Sequence, residues 1–292
     1  MNITAKTYFS GAGGLDRGFV EEGIDIIQSL ECEQIFSDTL RANFSHEVCQ
    51  QDIRNMEVLK QKQAHISAFT YPCTKYSAIA DIHGQRTGDE LFLHAFRHIA
   101  IEQPEVYVIE NVPGMKKFPV VMEAMTKLPG YYMNVFCPVD ALTWLPQCRK
   151  RLILIGTRKP FSISAPKMSS KRISLADIIE KDAQIDVPEY VYSRLRGKYR
   201  DMPIISDPEK IDSTAPTCVA HYSKDKGTRL VKDSRYKMGV RPYTVREYAR
   251  LQGFPDNHIF CGSENEQYRQ IGNAVPVPMG QWIAKELIRY FN

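Results

Sequence analysis

The sequence predicts an α/β protein: a doubly wound, mostly parallel sheet with a small second domain. Three observations carry that prediction. Over the first 157 residues, short apolar runs alternate with segments of helical periodicity. A glycine-rich turn, Gly11-Ala12-Gly13-Gly14, follows the first of those runs. From Arg158 to about Pro242, serines, lysines and prolines are frequent and apolar periodicity fades. The expected organisation is a sheet domain over 1–160, a linker and small domain over 161–240, and a C-terminal segment, 241–292, returning to the sheet.

Each element follows from its own pattern. Thr7–Ser10, Ile26–Leu30, Ile66–Thr70, Val106–Ile109, Tyr132–Pro138 and Leu152–Gly156 are short, apolar and rich in Ile, Val, Phe and Tyr, as strands are. A further short strand is expected just before Asp52. Helices are expected between them: one from near Leu15, then Gln34–Phe44 with Phe36, Leu40 and Phe44 four apart, Glu90–Glu102, and Val120–Leu128. Strands alternating with helices make a parallel sheet covered on both faces, joined by right-handed crossovers. Two helices, Thr244–Leu251 and about Val277–Phe291, are expected to close the chain.

Composition narrows the class. Apolar residues make up 43% and charged residues 25%, as in a water-soluble globular protein. No run reaches the roughly 18 apolar residues of a membrane span, and no basic stretch leads into an apolar core as in a secretory signal. The cytoplasm is the expected compartment. The seven cysteines form no C-x-x-C pair and no zinc pattern with histidine, so reduced thiols and no metal are expected. Net charge is only +4, but Ala220–Arg250 holds nine basic residues against three acidic ones, a local +6. Phosphate contact would need such a segment; a solvated loop would show it too.

The residues that carry chemistry lie at strand ends. In a doubly wound sheet the turn after the first strand borders the ligand crevice, and its glycines let a ligand approach the backbone. The dinucleotide pattern G-x-G-x-x-G fails here because Asp16 stands at its third glycine. Glu31 ends the second strand, where a carboxylate takes ribose hydroxyls; Asp52 follows the third; either would equally cap a helix. Cys73 follows Tyr71-Pro72 at the end of the fourth strand. A free thiol has a pKa of about 8.5 and needs nearby positive charge to act as a nucleophile. Glu110 ends the strand Val106–Ile109, where an unpaired carboxylate would be costly. Arg149 and Arg151 flank Lys150, so on a strand both would share one face, turned towards the same cleft.

In this order the residues resemble the cytosine-5 DNA methyltransferase family. Phe9-Ser-Gly-Ala-Gly-Gly14 is similar to its first motif and Pro72-Cys73 to its nucleophile loop. Glu110-Asn111-Val112 and Gln147-x-Arg149-x-Arg151 match two further signatures. Arg241-x-x-Thr244-x-x-Glu247-x-Ala249-Arg250-Leu251-Gln252-Gly253-Phe254-Pro255 resembles the ninth motif, and Gly272-Asn273-Ala274-Val275-Pro276 the tenth. The resemblance runs from about Thr7 to Ala284, with a variable gap near 160–240. Three positions depart from the family's usual residue: Thr74 for Gln, Thr70 for Gly and Cys32 for Trp.

The resemblance implies a Rossmann-like methyltransferase fold, S-adenosyl-L-methionine as cofactor and double-stranded DNA as partner. It implies a monomer and, in a restriction-modification setting, a companion endonuclease. Gly11, Gly13 and Gly14 would approach the methionine part and Phe9 the adenosine. Ser10, Ala12, Leu15, Cys32, Ile53 and Pro72 would line the same pocket. Glu31 would take the ribose, Asp52 the adenine, and Asn273 and Ala274 would complete the site. Cys73 would add to carbon 6 of a flipped-out cytosine. Glu110, protonated, would bond ring nitrogen 3, Arg151 would hold the carbonyl oxygen, and Arg149 would support the site electrostatically. Residues 195–240 fall where the family keeps its target-recognition domain. The rivals are a transfer-RNA cytosine methyltransferase, whose Cys-Phe-Thr tripeptide is absent here, a catalytically inactive DNA-binding relative, and a nicotinamide oxidoreductase, which Asp16 disfavours.

Overall fold

The computed structural model describes residues 2–72, 91–168 and 173–292. Seven strands form the main sheet: β1 Thr4–Tyr8, β2 Asp25–Glu31, β3 Glu47–Gln50, β4 Ile66–Phe69, β5 Val106–Asn111, β6 Tyr132–Asp140 and β7 Lys150–Thr157. Their order is β3-β2-β1-β4-β5-β7-β6. Strands β1 to β5 pair in parallel, while β7 runs antiparallel between β5 and β6. Strand β1 lies between β2 and β4, so the chain direction across the sheet reverses there, and a crevice opens at the carboxyl ends of these strands.

The helices are α1 Gly14–Glu21, α2 Gln34–Asn43, α3 Leu91–Glu102, α4 Pro119–Thr126, α5 Leu175–Ile178, α6 Glu189–Arg196, α7 Val245–Leu251, α8 Glu264–Asn273 and α9 Val277–Phe291. Strand β5 is buried along its whole length. Its Val106 and Val108 join one core with Leu15 and Phe19 of α1 and Met279 and Ile283 of α9. Its Tyr107 and Ile109 face the opposite core, with Ala95 and Ile99 of α3. Covering both faces is why this strand reads as an unbroken apolar run.

Strand β1 begins three residues before the expected Thr7, because Lys6 is an interior residue. It is 1% exposed and ion-paired to Glu102 of α3, which also accepts from Tyr8 Oη at 2.6 Å and Ser67 Oγ at 2.8 Å. A lysine inside a strand reads as solvent-facing until its buried partner is known.

A second sheet has three strands, in the order β10-β9-β8: β8 Ile204–Ser206, β9 Arg229–Lys232 and β10 Val240–Pro242. Its core joins Cys218, Tyr222 and Val231 to Tyr248 and Leu251 of α7 and Tyr268 and Ile271 of α8. The C-terminal segment therefore divides: α7 and α8 join this core, and α9 packs on the main sheet. Helix α8 is polar in sequence and gave no apolar period, but Ser263 and Glu266 form a capping box at its start.

Candidate active site

A cleft of about 330 Å³ opens at the carboxyl edge of the main sheet. Phe9, Ser10, Gly11 and Leu15 line it from the turn after β1, and Glu31 and Cys32 from the end of β2. Thr70, Tyr71 and Pro72 reach it after β4, Glu110 from β5, Arg151 from β7, and Asn273 and Ala274 from the end of α8. A smaller cavity of about 80 Å³ adjoins it, shares Phe9, Glu31, Cys32 and Pro72, and adds Asp52 and Ile53. Because β7 is antiparallel, its beginning lies beside the end of β5: Leu152 pairs with Asn111, which brings Arg151 to the crevice edge.

The glycine turn is built in an unusual backbone conformation. Phe9, Gly11 and Gly13 have φ of +60, +57 and +78°. A left-handed Phe is uncommon and marks a constrained place. Thr70 Oγ1 holds the Phe9 carbonyl at 2.9 Å, and the Phe9 ring meets Tyr71 edge-on at 6.2 Å. Gly13 and Gly14 do not line the cleft. A Cβ on Gly13 would meet Phe44 and Leu40 of the α2 region, and one on Gly14 would stand 2.1 Å from the Val275 carbonyl oxygen. These two glycines, expected against the cofactor, are required by tight packing behind the turn. Ala12 is likewise fully buried.

Glu31 faces the turn. One of its oxygens accepts from Gly11 N at 2.9 Å, and the other from Cys32 N at 2.8 Å and Glu33 N at 3.1 Å. Burial pushes its carboxyl pKa up, against the pull of these N–H groups. Desolvation and the Glu31 charge push the Cys32 thiol up to about 11, so it stays protonated at neutral pH. Asp52 is a cap at a cavity's edge. It caps the turn Ile53–Asn55 through Arg54 N at 2.9 Å, and it borders the smaller cavity.

On the opposite wall, Arg151 Nε lies 2.8 Å from Glu110 Oε1, and each side chain is about a tenth exposed. Asn111, beside Glu110, donates to the Tyr71 carbonyl oxygen at 3.1 Å. Cys73 lies outside the described residues; Pro72, next to it in sequence, lines both cavities. Thr70, Tyr71, Asn111, Val112, Glu33 and Phe36 also line the main cleft. Asn111 and Val112 had a signal in the sequence as neighbours of Glu110, and Thr70 and Tyr71 as neighbours of Pro72; Glu33 and Phe36 had none that pointed to the cleft.

The model of the C-5 cytosine-specific DNA methylase family matches residues 5–289. This chain belongs to that family. Type II methyltransferase M1.HphI of Haemophilus parahaemolyticus is 27% identical over 99% of this chain and 87% of its own length. Type II methyltransferase M.Sau96I of Staphylococcus aureus is 28% identical over 97% and 75%. Among solved structures, the Entamoeba histolytica methyltransferase EhMeth superposes with a TM-score of 0.83 over 100% of this chain and 99% of that one. At 18% identity, that likeness shows a shared fold. The chain is thus an enzyme that methylates carbon 5 of cytosine in DNA.

Within this methylase the two arginines of Gln147-x-Arg149-x-Arg151 part company. Arg149 is 1% exposed and does not line the cleft. It donates to the carbonyl oxygens of Cys218 at 2.7 Å, Gly272 at 2.9 Å and Ala274 at 2.8 Å. Gln147 accepts from Cys218 N at 2.9 Å and donates to the Leu251 carbonyl at 2.6 Å. The shared face expected for both arginines fails because β7 begins only at Lys150, so Arg149 is not bound to a strand's alternation. Gln147 and Arg149 tie the segment before β7 to residues 218, 251, 272 and 274; Arg151 alone of the three borders the cleft.

The basic stretch 220–250 is also not the free surface its composition suggested. Lys226 pairs with Glu264 at 2.9 Å, Lys232 with Asp207 at 2.6 Å, Arg235 with Asp233 at 2.7 Å and Arg250 with Asp256 at 2.7 Å. Arg241 is fully buried, 2.6 Å from Glu247 and 2.7 Å from Asp233. Three of these acids lie outside the segment, so a local charge count missed them. Lys224 is exposed with no ion pair among the described residues. No helix of the described residues is long and apolar enough to cross a membrane.

Proposed function

We propose that this methylase draws its methyl group from S-adenosyl-L-methionine and passes it to a cytosine swung out of double-stranded DNA, through a covalent adduct on Cys73. The observation that carries the reading is the buried Glu110–Arg151 pair, which shares one cleft with the glycine turn and Glu31. The donor set suits a nucleoside carrying an amino acid. Glu31 is an acceptor for ribose hydroxyls, Asp52 one for an amino group, and Leu30 and Ile53 offer apolar walls. The main cleft is within the roughly 300–1,000 Å³ range of small-ligand sites. When bound, the cofactor supplies an electrophilic methyl group.

The chain's residues do the rest. Carbon 5 of cytosine is a weak nucleophile. Cys73, as thiolate, forms a bond to carbon 6 and makes carbon 5 enamine-like. Glu110, protonated, donates to ring nitrogen 3 and relieves the charge that builds there, while Arg151 donates to the carbonyl oxygen. Cys73 leaves after a base removes the carbon-5 proton. A stacked, paired cytosine would not reach this cleft, so the base is extruded first, at a cost of a few kcal/mol. Asn273 and Ala274 close the pocket, with Arg149 holding the carbonyls of residues 272 and 274 on either side of Asn273. The enzyme acts as a monomer, and the Type II names of its relatives suggest a companion endonuclease.

The test offers labelled cofactor and either duplex DNA or transfer RNA, and a duplex with 5-fluorocytosine at the target. Transfer to the DNA and a denaturation-resistant complex on the fluorinated duplex are expected, because fluorine cannot leave as a cation. Cys73→Ala should lose both and keep cofactor binding. Full turnover by that variant would sink the mechanism, and label on transfer RNA alone would move the substrate class.

A further inference from the structure

Three of the five residues from Phe9 to Gly13 sit at positive φ, and such a turn persists only where its surroundings hold it. Glu31 grips Gly11 N and Thr70 grips the Phe9 carbonyl from the cleft side. From behind, the hold is His258, fully buried in the turn between α7 and α8. Its Nε2 lies 3.1 Å from the Ala12 carbonyl oxygen and its Nδ1 3.4 Å from Arg17 Nη2. One neutral tautomer satisfies both contacts: Nε2–H donates to the carbonyl, and Nδ1 accepts from the guanidinium. Burial, then the Arg17 charge, pushes the ring's pKa down to about 3, so that form persists at neutral pH. The ring is wedged against Phe254 and Phe260, with centroids 4.5 and 4.8 Å away.

We propose that His258 is a positioning residue for the cofactor: by holding the Ala12 carbonyl it keeps the glycine turn in its binding-competent shape. This rests on the reading that the turn carries S-adenosyl-L-methionine. A turn freed from His258 spends only part of its time in that shape, and apparent affinity falls by the same fraction. Bound cofactor restores the shape, so the rate at saturation is preserved.

The test uses His258→Leu, His258→Gln and His258→Asn in the full chain. Gln brings an amide nitrogen near the place of Nε2; Asn brings it near Nδ1. Leu and Asn should raise the cofactor Kd and KM about ten-fold. At saturating cofactor, kcat should stay within about two-fold. Gln should stay near the native values. A role in folding alone would lower kcat and Tm and leave KM unchanged, which overturns the inference. If the Leu variant does not fold, equal KM for Gln and Asn overturns it. Native protein that binds no S-adenosylmethionine would sink the proposed function as well; native binding with unaffected variants sinks this inference alone.

Discussion

Asn111 donates to the carbonyl oxygen of Tyr71 at 3.1 Å, so the strand that presents Glu110 also grips the chain one residue before Pro72. Neighbouring positions on β5 thus do different work, one facing the cleft and the other fixing the segment that leads to Cys73. Asn111→Ala would remove this buried hydrogen bond to the Tyr71 carbonyl. Unfolding free energy should drop by about 1–3 kcal/mol, with a slower methyl-transfer step. Denaturant titration and single-turnover kinetics check this, and a variant unchanged in both would mean that the contact positions nothing.

Glu110→Gln keeps the size of the side chain but not its acid. General acid–base help is worth roughly 10²–10⁴ in rate, so kcat should fall by that order while cofactor affinity holds. Arg151→Ala leaves the carboxylate partly buried and unpaired. That costs about 3 kcal/mol, the low end for buried pairs, because each partner keeps some solvent. Replacing both should cost less than the two single losses together, since the pair is one interaction.

Glu31→Ala removes an acceptor that also ties Gly11 to the end of β2. Titration calorimetry should show about 10- to 150-fold weaker cofactor binding. The pH dependence has a definite sign. Burial raises the Glu31 pKa, so its carboxylate is lost at a higher pH than a free glutamate's. Cofactor affinity should therefore fall on acidification before the ordinary value of about 4.3 is reached. Glu31→Gln should flatten that profile, and an identical profile in the variant would exclude Glu31 as the titrating acceptor.

Asp233 accepts from Arg235 and Arg241, and these bonds hold its carboxyl well below the ordinary carboxylate range. A depressed native pKa adds stability above the unfolded value of about 3.9, and this is lost as pH falls. Asp233→Asn should lower Tm at pH 7 and leave a shallower decline between about pH 5 and 3. Arg241→Ala should cost about 3–5 kcal/mol, because Glu247 and Asp233 would lose their shared partner.

Lys224 and Lys232 separate free from paired charge. If Lys224 meets a phosphate, Lys224→Ala should reduce the log–log salt slope of DNA binding by about 0.9. Lys232, engaged by Asp207 at 2.6 Å, should change it less. The preferred methylation site should not move, because phosphate contacts carry no base information. An unaltered slope for Lys224→Ala would shift DNA contact elsewhere, to Lys116–Lys117 or Arg158–Lys159.

The sequence by itself determined the doubly wound class, the strand ends where Glu31 and Glu110 stand, and the family. Those features are local: apolar runs of strand length, a glycine turn, and short motifs whose residue types follow from the chemistry. Helix α9, Val277–Phe291, stands about where the sequence placed it. Only the tertiary structure decided which charges are free and which residues touch the cleft. Arg149 and Arg151 look alike two positions apart, yet one meets the carbonyls of residues 218, 272 and 274 while the other meets Glu110. Gly13 and Gly14 read as ligand-facing until Phe44 and the Val275 carbonyl appear behind them. Lys6 falls outside the expected first strand until Glu102 lies beside it, and Arg241 counts as one more charge of the basic stretch until Glu247 and Asp233 enclose it. In each case the deciding partner is distant in sequence or on another element. A buried charge or a close approach is set by what lies across the gap, which local composition does not encode.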